Sequence, residues 1–137
     1  MPHYKIVNET NPDRHVVASL ALRIASAELH LSQPGFNFIQ PTIKSIADFT
    51  LGECVFGLAR RSDKQVFFRS GLDHKNLADT AFHECRHVWQ FQHGGFNREC
   101  RERDARIYAL ELMVKLGDPA EFQILETLMK IANEKGL

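Results

Sequence analysis

Residues 73–95 have the sequence DHKNLADTAFHECRHVWQFQHGG, and the interpretation of the whole chain starts from this stretch. Asp73 is a helix-opening signal, because its side chain can accept a hydrogen bond from the first unpaired backbone N–H groups of a helix. Gly94-Gly95 is a stop signal, because glycine tolerates the backbone angles that follow a helix. The sequence therefore predicts a helix over about residues 75–92.

The centre of this helix carries the motif His83-Glu84-Cys85-Arg86-His87, which has the pattern HExxH. Residues four apart lie one turn along a helix and about 40° apart, so the imidazoles of His83 and His87 converge. Zinc accepts nitrogen ligands at about 2.0–2.1 Å, which two such imidazoles can supply. Glu84 can then reach a metal-bound water and act as general base, so the motif predicts a catalytic Zn²⁺ site.

A catalytic zinc needs a third protein ligand, because it has three protein ligands and one open position. We favour Glu102, since the small residues Ala105 and Ala109 share its helix face and permit a close approach to the HExxH helix. The alternative is that Glu102 forms a surface pair with Arg106, one turn further on. The other candidate ligands are Glu99, Asp104 and His93.

His93 is the main rival to Glu102, because it follows His83 by ten residues, the spacing of the third ligand in HExxHxxGxxH. In that pattern a glycine breaks the helix, and this chain has Gln90 at that position. On an unbroken helix His93 lies far from the face of His83 and His87. It is then a histidine at the carbonyl end of the helix dipole.

The remaining sequence indicates an α+β fold with helices and strands segregated along the chain. A helix is expected from the capping pair Asn11-Pro12 to about Leu31, with an apolar stripe of Val16, Leu20, Ile24 and Ala27. Short strands are expected at 4–7, 38–39 and 43–46, followed by a hairpin of strands 54–60 and 65–70. The HExxH helix, the ligand-bearing helix and a C-terminal helix complete the expected order.

The last two helices are expected from repeated capping signals. Asn97 is expected to cap the ligand-bearing helix, which ends at Gly117. Asp118-Pro119 repeats the pattern of a cap followed by proline and is expected to open the C-terminal helix. Its expected apolar stripe consists of Phe122, Leu125, Leu128, Met129 and Ala132.

The composition fits one globular domain of 137 residues, with 44% hydrophobic and 25% charged residues. The 17 basic residues balance 17 acidic ones, so the basic excess typical of nucleic-acid binders is missing. No apolar run approaches the roughly 18 residues of a membrane span, and residues 1–10 have no signal-peptide pattern. The three cysteines, Cys54, Cys85 and Cys100, are expected to stay reduced, which indicates a cytoplasmic protein.

The motifs at 83–87 and 102–109 together resemble those of zincin metallopeptidases, specifically small gluzincins of the ImmA/IrrE type and phage or bacterial relatives. The resemblance consists of HExxH with a downstream ExxA…A motif and covers about residues 50–116. It implies one zincin-like metallopeptidase domain over residues 1–137. It also implies that His83, His87 and Glu102 bind zinc and that Glu84 is the catalytic base.

The chain departs from many of these relatives at two positions. Arg86 stands where many have glycine, and Arg106 stands where many have Asp or Asn after the motif alanine. The second departure removes a group that would orient a histidine ligand. Asp104 is the available substitute, although it lies on a different helix face.

These residues predict a zinc-dependent peptidase that hydrolyses a peptide bond in a peptide or protein substrate. Zinc polarises the scissile carbonyl, and Glu84 moves a proton from water to the leaving amine. A strand of the hairpin can hold an extended substrate by β-augmentation. The alternative is a zincin-fold module that binds a metal or a protein partner without catalysis, because so short a chain has little material for cleft walls.

Overall fold

The computed structural model describes residues 4–41 and 56–137, which form the expected α+β fold. In chain order its elements are β1 (Tyr4–Val7), α1 (Pro12–Leu29), β2 (Phe36–Pro41), β3 (Gly57–Ala59), β4 (Val66–Arg69), α2 (His74–His93), α3 (Arg98–Lys115), a 3-10 turn (Glu121–Gln123) and α4 (Ile124–Glu134). The strand expected at 43–46 and the start of the one expected at 54–60 lie outside the described residues. None of the helices in these ranges is long and apolar enough to cross a membrane.

The four strands form a mixed sheet in the order β1-β2-β4-β3. The expected hairpin is confirmed, because β3 and β4 are antiparallel with Leu58 opposite Phe67. β2 lies parallel to β4, with Phe38 opposite Phe68, and antiparallel to β1. Phe38 and Phe68 are buried and join the core formed by the helices. This order leaves β3 at one edge of the described sheet.

α1 begins at the expected cap, since the Asn11 side chain accepts a hydrogen bond from the Asp13 backbone N–H at 2.9 Å. The helix ends at Leu29, slightly before the expected end. His30 has a left-handed backbone with φ of 56°, and its N–H bonds to the carbonyls of the last turn. A left-handed residue is a common helix terminator, and it acts here before Pro34-Gly35 is reached.

The apolar stripes expected on α1 and on the last helix are only partly confirmed. On α1, Leu20 and Ile24 are buried while Val16 and Ala27 are exposed. The buried surface is wider than one stripe, because α1 packs against both α2 and α4. On α4 the buried residues are Ile124, Leu128 and Ala132, whereas Met129 is exposed. Phe122, in the 3-10 turn before α4, is exposed as well.

α2 and α3 begin at the residues that the capping signals predict. Asp73 accepts a hydrogen bond from the Asn76 N–H at 2.8 Å, and Asn97 accepts one from the Cys100 N–H at 2.8 Å. α2 ends at His93, before Gly94 with its positive φ of 67°. The two helices pack against each other, and the buried side chains of Ala105 and Ala109 provide the close approach that was expected of α3.

The expectation that Asp118 caps the last helix is wrong. Asp118 has a positive φ of 46°, and its N–H bonds to the Met113 carbonyl at 3.1 Å, so it still belongs to the C-terminal cap of α3. The chain turns helical only after Ala120. Glu121 in the 3-10 turn then accepts hydrogen bonds from the backbone N–H groups of His74 and Lys75, which joins this turn to the start of α2.

A buried carboxylate joins the beginning of α1 to the loop between β4 and α2. Glu9 is only 7% exposed, and it accepts hydrogen bonds from the Ser70 hydroxyl at 3.2 Å and the Gly71 N–H at 3.0 Å. Its second oxygen accepts from the Asn11 N–H and the Arg14 guanidinium, each at 3.3 Å. This network fixes the loop that leads into the HExxH helix.

Candidate metal centre

Three of the predicted ligands meet at the interface of α2 and α3. The Nε2 atoms of His83 and His87 lie 3.1 Å apart. Glu102 directs one carboxylate oxygen to each histidine, with Oε2 at 3.3 Å from His83 Nε2 and Oε1 at 3.1 Å from His87 Nε2. The structure therefore brings together the two motif histidines and the carboxylate that the sequence favoured.

These separations suit a small tetrahedral cation. Two ligand atoms held tetrahedrally at about 2.0–2.1 Å from an ion are about 3.3–3.4 Å apart. The Nε2 atoms of His83 and His87 are 3.1 Å apart, close to that value, and each lies 3.1–3.3 Å from a different oxygen of Glu102. Two imidazoles and a carboxylate are also a ligand set that zinc accepts. The residues present thus fit the metal that the motif implies.

The electrostatics of the centre favour a positive charge between the donor atoms. Burial lowers the pKa of His87, but the hydrogen bond with Glu102 and the negative charge of Glu84 outweigh it, so the pKa of His87 is raised above 6.5. Contacts with His83 and His87 hold the pKa of Glu102 well below its usual value. A proton or a metal ion bound here is therefore stabilised by the surrounding carboxylates.

Glu84 lies in the same cluster as the two motif histidines. It is 2% exposed, and its carboxylate and the two imidazole nitrogens lie within 4.8 Å of one another. The first residue of β3 makes this placement possible, because Gly57 approaches α2 so closely that a Cβ there would lie 2.7 Å from Thr80 Cγ2 and 3.7 Å from Glu84 Cγ. β3 therefore lies directly beside Glu84.

His87 is held from behind by a buried amide. Its Nδ1 atom lies 2.8 Å from Gln90 Oε1, and Gln90 is 2% exposed. The Gln90 Nε2 group donates to the Arg101 carbonyl at 3.0 Å and to Asp104 Oδ2 at 2.8 Å. From the sequence, Gln90 was noted only because it occupies the position of the glycine in HExxHxxGxxH. Its separation of three residues from His87 on one helix is the signal that would have identified it.

Asp104 is the outermost member of this group. It accepts two hydrogen bonds from the Arg86 guanidinium, at 2.8 and 3.2 Å. Arg86 in turn lies over the Trp89 ring, 3.8 Å from its centroid. Arg86 and Asp104 thus form one paired unit between α2 and α3, and Asp104 reaches His87 through Gln90 although it lies on a different face from Glu102.

The other two candidate ligands lie elsewhere. His93 Nδ1 is 2.8 Å from the Trp89 carbonyl oxygen, and its ring stacks on the Trp89 ring at 4.1 Å. This is the helix-end placement that was the alternative interpretation of His93. Glu99 is exposed and lies 3.5 Å from Arg103, one turn further along α3.

Comparisons of the chain with protein-family models, with curated proteins and with solved structures found no match. The geometry of the centre itself is therefore what indicates a function. That geometry comprises three convergent donors, one adjacent buried carboxylate and an edge strand beside them.

Proposed function

We propose that this chain is a zinc-dependent peptidase of the gluzincin kind, with His83, His87 and Glu102 as zinc ligands and Glu84 as general base. The observation that carries the proposal is the convergence of the His83 and His87 Nε2 atoms, 3.1 Å apart, on the Glu102 carboxylate, with each nitrogen 3.1–3.3 Å from one of its oxygens. The buried Glu84 carboxylate beside the two imidazoles supports catalysis over a purely structural role. When bound, zinc supplies a Lewis acid that polarises a carbonyl group and acidifies water.

Glu84 performs the proton transfers of the proposed reaction. Its carboxylate takes one proton from the attacking water as the new carbon–oxygen bond forms at the scissile carbonyl. It then delivers that proton to the nitrogen as the carbon–nitrogen bond breaks, so that a carboxylic acid and an amine leave. Glu84 is only 2% exposed, so bulk water does not compete for its carboxylate.

β3 is the element best placed to hold an extended substrate. Arg60 N–H bonds to the Gln65 carbonyl and Arg69 N–H bonds to the Phe56 carbonyl, which fixes the pairing register of the hairpin. Because hydrogen-bonded pairs alternate along an antiparallel ladder, the backbone groups of Gly57 and Ala59 point away from β4. A peptide paired with this edge would lie alongside Glu84, and this supports a peptide as the substrate class.

The metal is tested by measuring zinc in protein purified without chelator and then supplemented with zinc. We expect about one zinc per chain. His83→Ala or His87→Ala should remove most of it, because each substitution leaves two protein ligands. Wild-type protein that stays metal-free under these conditions contradicts the proposal.

Catalysis is tested with Glu84→Gln, which keeps the shape of the side chain and removes the base. Zinc content should stay near that of wild type, while cleavage of a peptide library should fall by about 10²–10⁴-fold. Equal cleavage by the two proteins would exclude Glu84 as the base. If both bind zinc and neither cleaves any peptide or host protein, the chain is a non-catalytic metal-binding module instead.

A further inference from the structure

The group Arg86, Asp104 and Gln90 lies behind His87 and outside the proposed ligand set. We propose that these three residues are a positioning relay that fixes the tautomer and the ring orientation of His87, so that its Nε2 lone pair faces the metal. The proposal rests on the proposed zinc site. It gives a role to Gln90 and Arg86, to which neither the motif nor the resemblance assigns one, and it adds the path through Gln90 by which Asp104 acts on His87.

The orientation of the Gln90 amide follows from its partners. An amide NH₂ group has two donors, and the structure provides two oxygens for them, the Arg101 carbonyl at 3.0 Å and Asp104 Oδ2 at 2.8 Å. The reversed amide would place oxygen against oxygen at both contacts. Gln90 Oε1 is therefore the atom that faces His87 Nδ1 at 2.8 Å.

This orientation determines where the histidine carries its proton. An amide oxygen only accepts, so His87 Nδ1 must donate to it and must hold the hydrogen. In neutral His87 the lone pair is then on Nε2, the atom that lies 3.1 Å from Glu102 Oε1 and 3.1 Å from His83 Nε2. A ligand with the opposite tautomer would present an N–H group to the metal.

Arg86 and Asp104 prevent the amide from turning. The Arg86 guanidinium binds both oxygens of Asp104, and the shared oxygen Oδ2 accepts from Arg86 Nε and from Gln90 Nε2, each at 2.8 Å. Trp89 covers the guanidinium on one side. Outer partners of this kind typically change metal affinity by about 10–100-fold when they are removed.

The test compares Gln90→Met with Gln92→Met. Gln90→Met preserves the length of a buried side chain and removes all three hydrogen bonds, and Gln92→Met makes the same change at an exposed position of the same helix. Competition with a chromophoric chelator should show the zinc dissociation constant of Gln90→Met rising by about 10–100-fold, with Gln92→Met unchanged. Equal affinities in the two variants would overturn the proposal.

A second measurement does not depend on the metal. It uses Glu102→Ala, because in the metal-free wild type the Glu102 carboxylate lies 3.1 Å from His87 Nε2 and competes with the Gln90 amide for the imidazole proton. Imidazole ¹⁵N chemical shifts of metal-free Glu102→Ala, at an alkaline pH where His87 is neutral, should show the Nδ1–H tautomer. This signature should be lost when Gln90→Met is added and kept when Gln92→Met is added. An Nε2–H tautomer in Glu102→Ala refutes the relay even if wild type binds zinc. A wild type that binds no zinc refutes the proposed function, and the tautomer still decides the relay.

Asp104→Leu covers the case in which Gln90→Met does not fold. The substitution lies at a partly exposed position, leaves Gln90 in place and removes one of its two acceptors. The amide is then free to turn, so the dissociation constant should rise and the Nδ1–H signature should weaken. Wild-type values of both quantities would exclude the outer half of the relay.

Discussion

Glu102 joins the two motif histidines with its two oxygens, although 46% of its side chain is exposed. Because water reaches the carboxylate, its ion pairs with the histidines contribute little to folding on their own. Its place at 3.1–3.3 Å from both Nε2 atoms instead makes it a candidate for metal binding. His93, held by the Trp89 carbonyl, provides the matched comparison on α2.

Glu102→Ala should weaken zinc binding strongly, and His93→Ala should leave it near the wild-type value. The reason is that the Glu102 oxygens lie 3.1–3.3 Å from the Nε2 atoms of His83 and His87, whereas His93 contacts the Trp89 carbonyl. Zinc dissociation constants of the two variants, measured by chelator competition, check this expectation. The opposite order would indicate coordination by three histidines and would contradict the proposed gluzincin-like function.

The pH dependence of stability should have opposite signs in the metal-free and zinc-bound proteins. Because the pKa of His87 is raised in the folded state, protonation of His87 adds to the free energy of unfolding of the metal-free protein. This stabilisation is complete below pH 6.5, the unfolded pKa, and is lost as pH rises through the raised pKa. Zinc competes with that same proton, so its stabilisation grows over the same range. Melting temperatures at about pH 6 and about pH 8 measure both trends.

The control for this prediction is Glu102→Gln. It removes the carboxylate that raises the pKa of His87. Between the two pH values, the melting temperature of the metal-free variant should therefore fall much less than that of metal-free wild type. A decrease of the same size in wild type and Glu102→Gln would show that His87 is not its source.

At the scale of elements, the contact between β3 and α2 depends on a missing side chain. A Cβ on Gly57 would lie 2.6 Å from the Phe67 carbonyl oxygen and 2.7 Å from Thr80 Cγ2. Both distances are too short for non-bonded atoms, and one of the two neighbours is backbone. The edge strand therefore stays beside Glu84 only while residue 57 is glycine.

Gly57→Ala should lower the free energy of unfolding by about 1–3 kcal/mol, because β3 must move away from α2 to admit the methyl group. Gly35→Ala is the matched control, since its added Cβ meets only the flexible end of the Gln65 side chain. Urea denaturation of both variants gives the comparison. Equal losses would show that the close approach of β3 to α2 carries no special cost.

Local signals predicted where the helices start and indicated the candidate ligands, but they did not predict the long-range contacts. Asn11, Asp73 and Asn97 gave correct helix starts, because a cap acts within three residues of itself. Asp118 failed as a cap because it completes the end of α3 instead. The parallel pairing of β2 with β4 joins strands separated by many residues, so no local pattern contained it.

The candidate site shows the same difference between local features, which the sequence predicts, and contacts between distant elements, which it does not. The histidine spacing of the motif is a property of one helix, so it was predictable from sequence. The contact of Gln90 with Asp104 and the approach of Gly57 to Glu84 both join different elements. Both contacts depend on how α3 and β3 pack against α2, which no local pattern in the sequence contains.

At the scale of the whole molecule, Glu9 connects the start of α1 with the loop before α2. Burial alone would raise the pKa of this carboxyl, but hydrogen bonds from Gly71, Asn11 and Ser70 and the charge of Arg14 lower it. Because the pKa of Glu9 is lowered in the folded state, its ionised carboxylate stabilises the fold above pH 4.5, the unfolded pKa. This stabilisation is lost as the pH falls through the lowered pKa.

Glu9→Gln should lower the free energy of unfolding by about 1–3 kcal/mol, because the amide NH₂ would face the donors that now bind an oxygen. The loss should be seen at neutral pH and should shrink in acid, where the wild-type carboxyl is protonated. Glu134→Gln, at an exposed position of α4, is the control in a urea titration. A loss of the same size in both variants would remove Glu9 from this role.

The helix that carries both histidines is fixed by the core. Leu77, Phe82 and Val88 bury α2, while the carboxylate of Glu102 borders solvent. The positions of the two imidazoles are therefore set by apolar packing away from their nitrogen atoms. A core substitution that shifts α2 slightly would change the spacing of the candidate ligands without touching any of them.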